Sequence, residues 1–427
     1  MAAAAALGSA GFHVDLYESR SFLGGRATSY PLPSAGETAG ETIDNCQHIL
    51  LRCCVNLLDF YRRLGVVDRI QFHREFFFIE PGGRTSVLAS GRLPTPLHFT
   101  GSFLRLTYLN TSEKLAVARG LLAIRKERAF RTDLDDITML EWLREKRQPK
   151  RAIDRFWNQV LVSAINEDLD RMAASHAFQV FWLGFLAKSN SYEMGIPAIP
   201  LGDLYSSDQW RKLGNVQLNS RMPVERIEFA NDRAAGVVIQ GQTKTADYYI
   251  SALPFERMTA LAPELELNLS EFTHSPITGI HLWFDRSITQ LPHATLLDRT
   301  VQWMFNKDRG RYIQLVVSAS RSLSAMPRQE VIDLTLRELA EFFPQARAAK
   351  LEKAHVVKEI RATFSAKPGL EKLRPESPTK FANLFLAGDW TRSGWPATME
   401  GAVRSGYLAA EAVSRAAGEP KRFLLPE

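Results

Sequence analysis

Leu384-Phe385-Leu386-Ala387-Gly388-Asp389-Trp390 decides the fold. A short apolar run ends on Gly-Asp, and a loop containing Gly394 and Pro396 follows. A helical pattern then opens at Thr398 and runs to Ala416. The run is too short for a helix and is bounded by a turn residue, so it reads as a strand buried on both faces. Glycine at the strand end lets a ligand approach the backbone closely, and Asp389 supplies a carboxylate that accepts hydrogen bonds from hydroxyl groups. The helix start at Thr398, Met399 and Glu400 offers unsatisfied N–H groups and partial positive charge, which suits an electron-rich edge of a bound group.

The other end of the chain carries a matching signal. Ala2 to Ala10 is strongly helix-forming, Gly11 is placed to end that helix, and His13 to Glu18 reads as a strand. Helix, glycine, strand and acid form the second half of a dinucleotide-binding βαβ unit, in which the strand-end carboxylate, here Glu18, takes ribose hydroxyls. A G-x-G-x-x-G loop belongs before that helix. Counting back from Glu18 puts its last glycine immediately before Met1. The expectation is therefore a domain whose first strand and glycine loop are absent at the N-terminus, because the start has been placed too far downstream. A decayed relative without cofactor is the alternative. The alanine-rich start has no basic n-region and runs straight into a strand, so it reads as folded structure and not as a targeting segment.

Between these ends, Phe22-Leu23-Gly24-Gly25-Arg26 leads into turn-rich sequence up to Asp44. The spacing predicts a helix over 49–64 and strands over 76–79 and 85–88 joined at Pro81-Gly82-Gly83. Helices are expected over 112–125 with Ser112 as N-cap, from a Thr138/Glu141 capping box, and over 154–166 and 173–185. Met194 to Pro200 breaks that helical region. Strands follow over 216–218, 224–227, 236–239, 248–252, 277–284, 301–306 and 312–317. A helix over 327–343 and a strand over 356–363 lead to the opening motif. The fold class expected is α/β, with a Rossmann-like nucleotide domain (1–80, 205–255 and 380–427) interleaved with an α+β substrate domain (81–204 and 256–379).

Composition excludes several classes. The formal charge of +6 favours anionic partners only weakly. The three cysteines, Cys46, Cys53 and Cys54, form neither a disulfide framework nor a metal-ligand spacing, and fit a reducing compartment. No metal constellation is visible among the nine histidines. No apolar run reaches the roughly eighteen residues that a membrane span needs.

Gly388-Asp389 with its helix, Glu18, Gly24-Gly25-Arg26 and Ser251-Ala252-Leu253-Pro254 together resemble the amine oxidase and phytoene desaturase superfamily, the two-dinucleotide-binding-domain flavoproteins. Asp44-Asn45-Cys46-Gln47-His48, Leu58 to Gly65, Gly195-Ile196-Pro197 and Gln302 to Lys307 are similar to one branch of it. That branch is the squalene-associated FAD-dependent desaturases, the hydroxysqualene dehydroxylases of squalene and hopanoid biosynthesis. The resemblance runs over essentially the whole chain and implies FAD as cofactor. It implies cofactor contacts at Glu18, Gly24, Gly25, Arg26, Val224, Gly388, Asp389, Thr398, Met399 and Glu400. Cys46 departs from the glycine usual in this branch, and would be strained if that backbone needs a positive φ.

The implied reaction removes the allylic hydroxyl of hydroxysqualene and delivers a hydride from reduced FAD, giving squalene. A related desaturase or oxidase acting on another polyprenoid, a carotenoid or an amine is the second reading, and a non-catalytic remnant the third. His48 is the candidate proton donor or orienting group, with Gln47 beside it. Asn166, Asn306 and Lys307 read first as caps and a surface charge, and second as groups facing the substrate. The expected partner is a long isoprenoid, with no nucleic acid. The enzyme is expected in the cytoplasm, in peripheral contact with the inner membrane face. Phe99, Phe103, Leu104, Leu106, Tyr108 and Leu109 rimmed by Arg105, Arg125 and Lys126 are a candidate docking patch, or else a core-facing segment.

Overall fold

The alanine run folds as the helix Ala2–Ser9 in the computed structural model, which describes residues 1–32 and 41–427. Its small side chains let it lie against the C-terminal helix Met399–Ala416, where a Cβ added to Gly406 would stand 2.9 Å from the Ala2 Cβ. After Gly11 the strand Val14–Glu18 pairs in parallel with Val216–Ser220. A second parallel pair joins Tyr249–Ser251 to Leu384–Leu386. Phe385 and Ala387 enter a core shared with the first helix and with Leu57, Leu58, Phe60 and Tyr61. Leu384 and Leu386 enter the core on the opposite side. Burial on both faces is what the uninterrupted apolar run requires.

A seven-stranded sheet dominates the rest. Its order is Leu351–Phe364, His274–Phe284, Tyr312–Ser318, Trp303–Asp308, His293–Leu296, Glu75–Ile79 and Thr85–Ala89. Every neighbouring pair is antiparallel except His293–Leu296 with Glu75–Ile79. Strand alternation divides its side chains. Ile280, Leu282, Ile313, Leu315, Met304 and Ala294 pack on one face with Val331, Leu339 and Phe342 of the helix Arg328–Phe342. The other face carries Phe76, Phe78, Trp303, Phe305 and Val316 toward the helical region between residues 100 and 186.

Several expectations change. Residues 49–64 are not one helix: Leu50–Leu51 pairs with Met194 and Gly195, and the helix is Val55–Arg63. The break at Met194–Pro197 is thus itself a strand, shared with Ile70–His73. The helix expected from Ser112 is Thr111–Glu127, capped by Asn110, whose side chain accepts from Glu113 N–H while the Glu113 carboxylate accepts from Asn110 N–H. The helices expected over 154–166 and 173–185 each contain a π-helical stretch, Ile153–Trp157 and Val180–Leu186. The turn-rich stretch before Asp44 lies partly outside the described residues.

The candidate docking patch is corrected. Leu106, Tyr108 and Leu109 are buried, and Phe99 and Phe103 pack against the core, so only Leu104 of the six stands exposed. The spacing suggests a surface segment, but Phe78 of the sheet packs on Tyr108 and Phe156 of the stretch Ile153–Trp157 packs on Phe103. Cys46 is buried and does not adopt a positive φ, so the strain expected there does not arise.

Candidate functional site

The Gly-Gly-Arg turn and the Gly-Asp strand end meet. Arg26 Nη2 donates to Asp389 Oδ1 at 2.5 Å across 363 residues of chain, and Arg26 Nη1 donates to the Ala362 carbonyl at 3.1 Å. Gly24 has φ +110, and an added Cβ would lie 2.3 Å from the Ala27 carbonyl oxygen, so only glycine makes this turn. Gly25 also has a positive φ, and the space on its Cβ side is open. Asp389 is nearly buried. Glu18 ends its strand with Oε1 accepting from Arg20 N–H at 2.9 Å and from Ser19 Oγ at 3.1 Å. Val224 begins the strand Val224–Ala230, just after Met222, whose N–H donates to the Glu18 carbonyl at 2.9 Å.

Thr398 caps the C-terminal helix, its Oγ1 accepting from Gly401 N–H at 3.1 Å. The N–H groups of Met399 and Glu400 make no hydrogen bond among the described residues. The helix start therefore presents two free donors, while at the strand end Gly388 N–H is bonded to Ser405 Oγ and Asp389 is paired with Arg26. Glu400 contributes only its backbone to this end. Its carboxylate is buried and turned away, accepting from Asn56 Nδ2 (2.8 Å), Asn56 N–H (3.2 Å) and Leu57 N–H (2.7 Å) at the start of the helix Val55–Arg63. Burial raises its pKa, and those three donors oppose the rise. A helix start needs an acceptor for its first N–H groups, and Glu400 supplies it.

Arg374 was not anticipated from the sequence. Fully buried, it donates to the carbonyls of Trp395 (2.7 Å), Asp389 (2.9 Å) and Thr391 (2.5 Å) and to Ser393 Oγ (3.2 Å). It thereby folds the loop between the strand and the C-terminal helix around one guanidinium.

The Asp44–His48 segment crosses the face of the large sheet that carries Trp303 and Phe305, meeting it at Gly279 and Lys307. A Cβ on Gly279 would stand 3.1 Å from the Asn45 carbonyl oxygen, so the sheet and this segment touch backbone to backbone. Lys307 is half-buried and not a surface charge: its Nζ donates to Gln47 Oε1 at 3.1 Å and lies 3.7 Å from Asp44 Oδ2. Desolvation lowers its pKa, opposed by Asp44. The His48 Nδ1 lies 3.0 Å from the Cys46 carbonyl, which can only accept, so Nδ1 carries the proton and Nε2 the lone pair. Burial lowers the His48 pKa, which favours that neutral form. The other two candidates are structural. Asn166 closes its helix at φ +59 and clasps Ser275, Thr363 and Ala319. Asn306 shapes the hairpin at Gly310. Among the described residues no group of His, Cys, Asp and Glu is arranged to hold a metal ion.

Burial holds three histidines, His176, His281 and His293, down to about 3. Each is neutral in the folded chain and titrates near 6.5 once unfolded, so below that pH the unfolded state binds more protons. Their contribution to stability is complete above about pH 6.5 and is lost as the pH falls toward 3, at roughly 1.4 kcal/mol per pH unit for each. Urea unfolding at about pH 7.5 and about pH 5.5 should differ by roughly 4 kcal/mol from these groups. His293→Phe should remove about one third of that difference. An equal slope in the variant would refute the assignment.

The residues present fit FAD: an open glycine turn and its arginine meet a strand-end carboxylate, and the helix that follows that strand starts with free N–H groups. A family model described as flavin containing amine oxidoreductase matches residues 1–414. The 15-cis-phytoene desaturase of an Oncidium hybrid cultivar is 29% identical over 95% of this chain and 74% of its own. The 15-cis-phytoene desaturase of Synechococcus elongatus is 26% identical over 95% of this chain and 92% of its own. Among solved structures, an oxidoreductase from Methanosarcina mazei superposes with a TM-score of 0.69 at 17% identity, covering 95% of this chain and 96% of that one. At that identity the likeness speaks for the fold alone.

Proposed function

The chain belongs to the flavin containing amine oxidoreductase family and is an FAD-dependent oxidoreductase, and from that premise we propose that it reduces hydroxysqualene to squalene. The relatives are named for desaturating phytoene, a long isoprenoid, which supports a substrate of that shape. One observation favours loss of a hydroxyl over desaturation of a plain hydrocarbon: the Lys307–Gln47–His48 cluster beside the aromatic face of the sheet. Breaking an allylic C–O bond requires a proton on the departing oxygen, whereas a hydrocarbon desaturase has no oxygen to protonate.

Bound reduced FAD supplies the hydride. Lys307 is the acid in this reading. Its ammonium is partly desolvated and its pKa lowered, so it gives up a proton more readily than a surface lysine. The proton goes to the hydroxyl, the C–O bond breaks, and water leaves. His48, with its lone pair on Nε2, orients that hydroxyl by accepting from it, and Gln47 holds Lys307 in place. Gln47 and His48 thus keep a part in the reaction as positioning and orienting groups, and proton donation falls to Lys307.

The test is anaerobic incubation of the flavin-loaded, reduced protein with hydroxysqualene, followed by extraction. Squalene is the expected product, and Lys307→Met should lower its rate by roughly 100-fold or more. No squalene, together with new double bonds in phytoene when the oxidised protein is used, would establish the desaturase reading instead.

A substrate of this kind partitions into bilayers, so we place the protein peripherally on one. No helix among the described residues is long and apolar enough to cross a membrane. Leu97, Leu104, Leu115 and Leu122 are more than half exposed, and Arg105, Arg119, Arg125 and Lys126 are exposed around them. Replacing Leu115 and Leu122 with aspartate should reduce co-sedimentation with anionic vesicles by roughly tenfold or more. Unchanged binding would exclude this face.

A further inference from the structure

Beyond Ala416 the chain doubles back along the helix Met399–Ala416. Lys421 N–H donates to Ser414 Oγ at 3.0 Å, and the N–H groups of Phe423 and Leu424 donate to Glu411 Oε1 at 2.7 and 2.8 Å. Phe423 is buried, with its ring 6.5 Å from that of Tyr407. Leu425 N–H donates to Asn56 Oδ1 at 2.8 Å, and Asn56 Nδ2 donates to the Leu425 carbonyl at 3.4 Å. Glu427 Oε1 then lies 3.2 Å from Arg404 Nη1. As the tail advances from Lys421 to Glu427 its helix partners recede from Ser414 to Arg404, so it lies antiparallel to the helix and reaches its first two turns.

There the tail meets the loop that joins Asp389 to the helix start at Thr398. Trp395 is the junction: its carbonyl accepts from Arg374 at 2.7 Å, and its indole Nε1 donates to Glu427 Oε1 at 2.7 Å. Arg404 carries the same carboxylate to a second point of the loop, because its Nε donates to the Ser393 carbonyl at 3.0 Å. Trp395 and Arg404 are both buried. A Cβ on Gly401 would lie 2.5 Å from the Pro396 carbonyl oxygen and 3.4 Å from the Trp395 Cβ, so the loop presses on the first turn of the helix. Asn56 adds a further link, since the Nδ2 that meets Leu425 also donates to Glu400 Oε1 at 2.8 Å. Tail, loop and helix start thus share partners, and a shift in one removes bonds from the others.

We propose that Lys421 to Glu427 form a strap that positions the flavin loop, with Glu427 as the positioning residue acting through Trp395 and Arg404. Arg374 grips the loop from inside and the strap closes it from the other side. The proposal rests on FAD as the cofactor and not on which substrate is reduced. A strap that stabilises the flavin-binding arrangement of the loop must be stabilised by flavin to the same extent, because coupling between two sites is reciprocal.

Both directions of that coupling can be measured on the full chain. Hydrogen exchange at the Phe423, Leu424 and Leu425 amides should slow by roughly fivefold or more when FAD is added. Titration of Glu427→Ala with FAD should show a Kd raised by a similar factor, roughly fivefold or more. The Glu427 side chain is 35% exposed, so this variant keeps its fold. Glu427→Gln, which retains an acceptor for the Trp395 N–H, should recover most of the lost affinity. Trp395→Phe should weaken FAD binding as Glu427→Ala does, and combining the two should add little, because they remove one interaction. A tail that merely packs on its helix would exchange equally with and without FAD, and that result overturns the proposal. So does wild-type affinity in Glu427→Ala, strict additivity in the double variant, or a wild-type chain that takes up no FAD. Flavin-coupled exchange without squalene formation would sink the dehydroxylase reading and leave the strap as assigned.

Discussion

Arg374→Met is expected to destabilise the protein by roughly 3–5 kcal/mol and to abolish flavin retention. The side chain is 1% exposed and binds three backbone carbonyls and the Ser393 hydroxyl in one loop. Methionine fills much of the volume but donates nothing, so those buried carbonyls lose their partner. Lysine should not rescue the change, because one ammonium cannot reproduce a planar fork that reaches Asp389 and Trp395 together. The guanidinium also stacks 5.2 Å from the Phe364 ring, a contact that lysine would weaken. Its ion pair with Glu371, 2.7 Å long, is the lesser part, since Glu371 is partly in water. Glu371→Gln should therefore cost less than about 1 kcal/mol. Urea unfolding and flavin absorbance on the three variants measure both effects. A small loss in Arg374→Met would mean that the loop holds itself.

What the sequence made legible follows the range of the interactions. The strand-glycine-acid-helix signal at Leu384 to Ala416 and the helix-glycine-strand signal at Ala2 to Glu18 are local, and both elements form as read. The Thr138/Glu141 capping box is equally local and is present. Leu50 and Leu51 were misread because a short apolar run fits either period, and the deciding partner, Met194-Gly195, lies far along the chain. For Lys307 the sequence favours a surface charge over a group facing the substrate, because nothing near it in sequence shows that Gln47 and Asp44 come to meet it. Arg374 binds main-chain carbonyls, which no residue pattern marks.

Gly388→Ala is expected to be a strongly damaging single-methyl change at the strand end. Gly388 has φ +127, where an L side chain is strained, and its Cβ would lie 2.7 Å from Trp390 Nε1. Neither side can yield. Trp390 is buried, with Nε1 donating to the Leu253 carbonyl at 3.0 Å. Gly388 N–H donates to Ser405 Oγ at 2.8 Å, and its carbonyl accepts from Thr391 N–H at 3.0 Å and Thr391 Oγ1 at 2.9 Å. Backbone strain and overpacking together are expected to cost roughly 2–6 kcal/mol. Gly418→Ala isolates the first of these. Gly418 also has a positive φ, +79, but nothing lies within 4 Å of its Cβ position, so only about 1 kcal/mol of strain is expected there. The difference between the two variants in urea unfolding measures how tightly the strand end is packed. The same pair separates folding from cofactor binding. Gly418→Ala should keep its flavin, whereas Gly388→Ala should lose it even under conditions where the variant remains folded. The reason is that Trp390 and Asp389 move together, and Asp389 is the anchor of Arg26. Equal flavin retention in the two variants would place the cofactor away from this strand end.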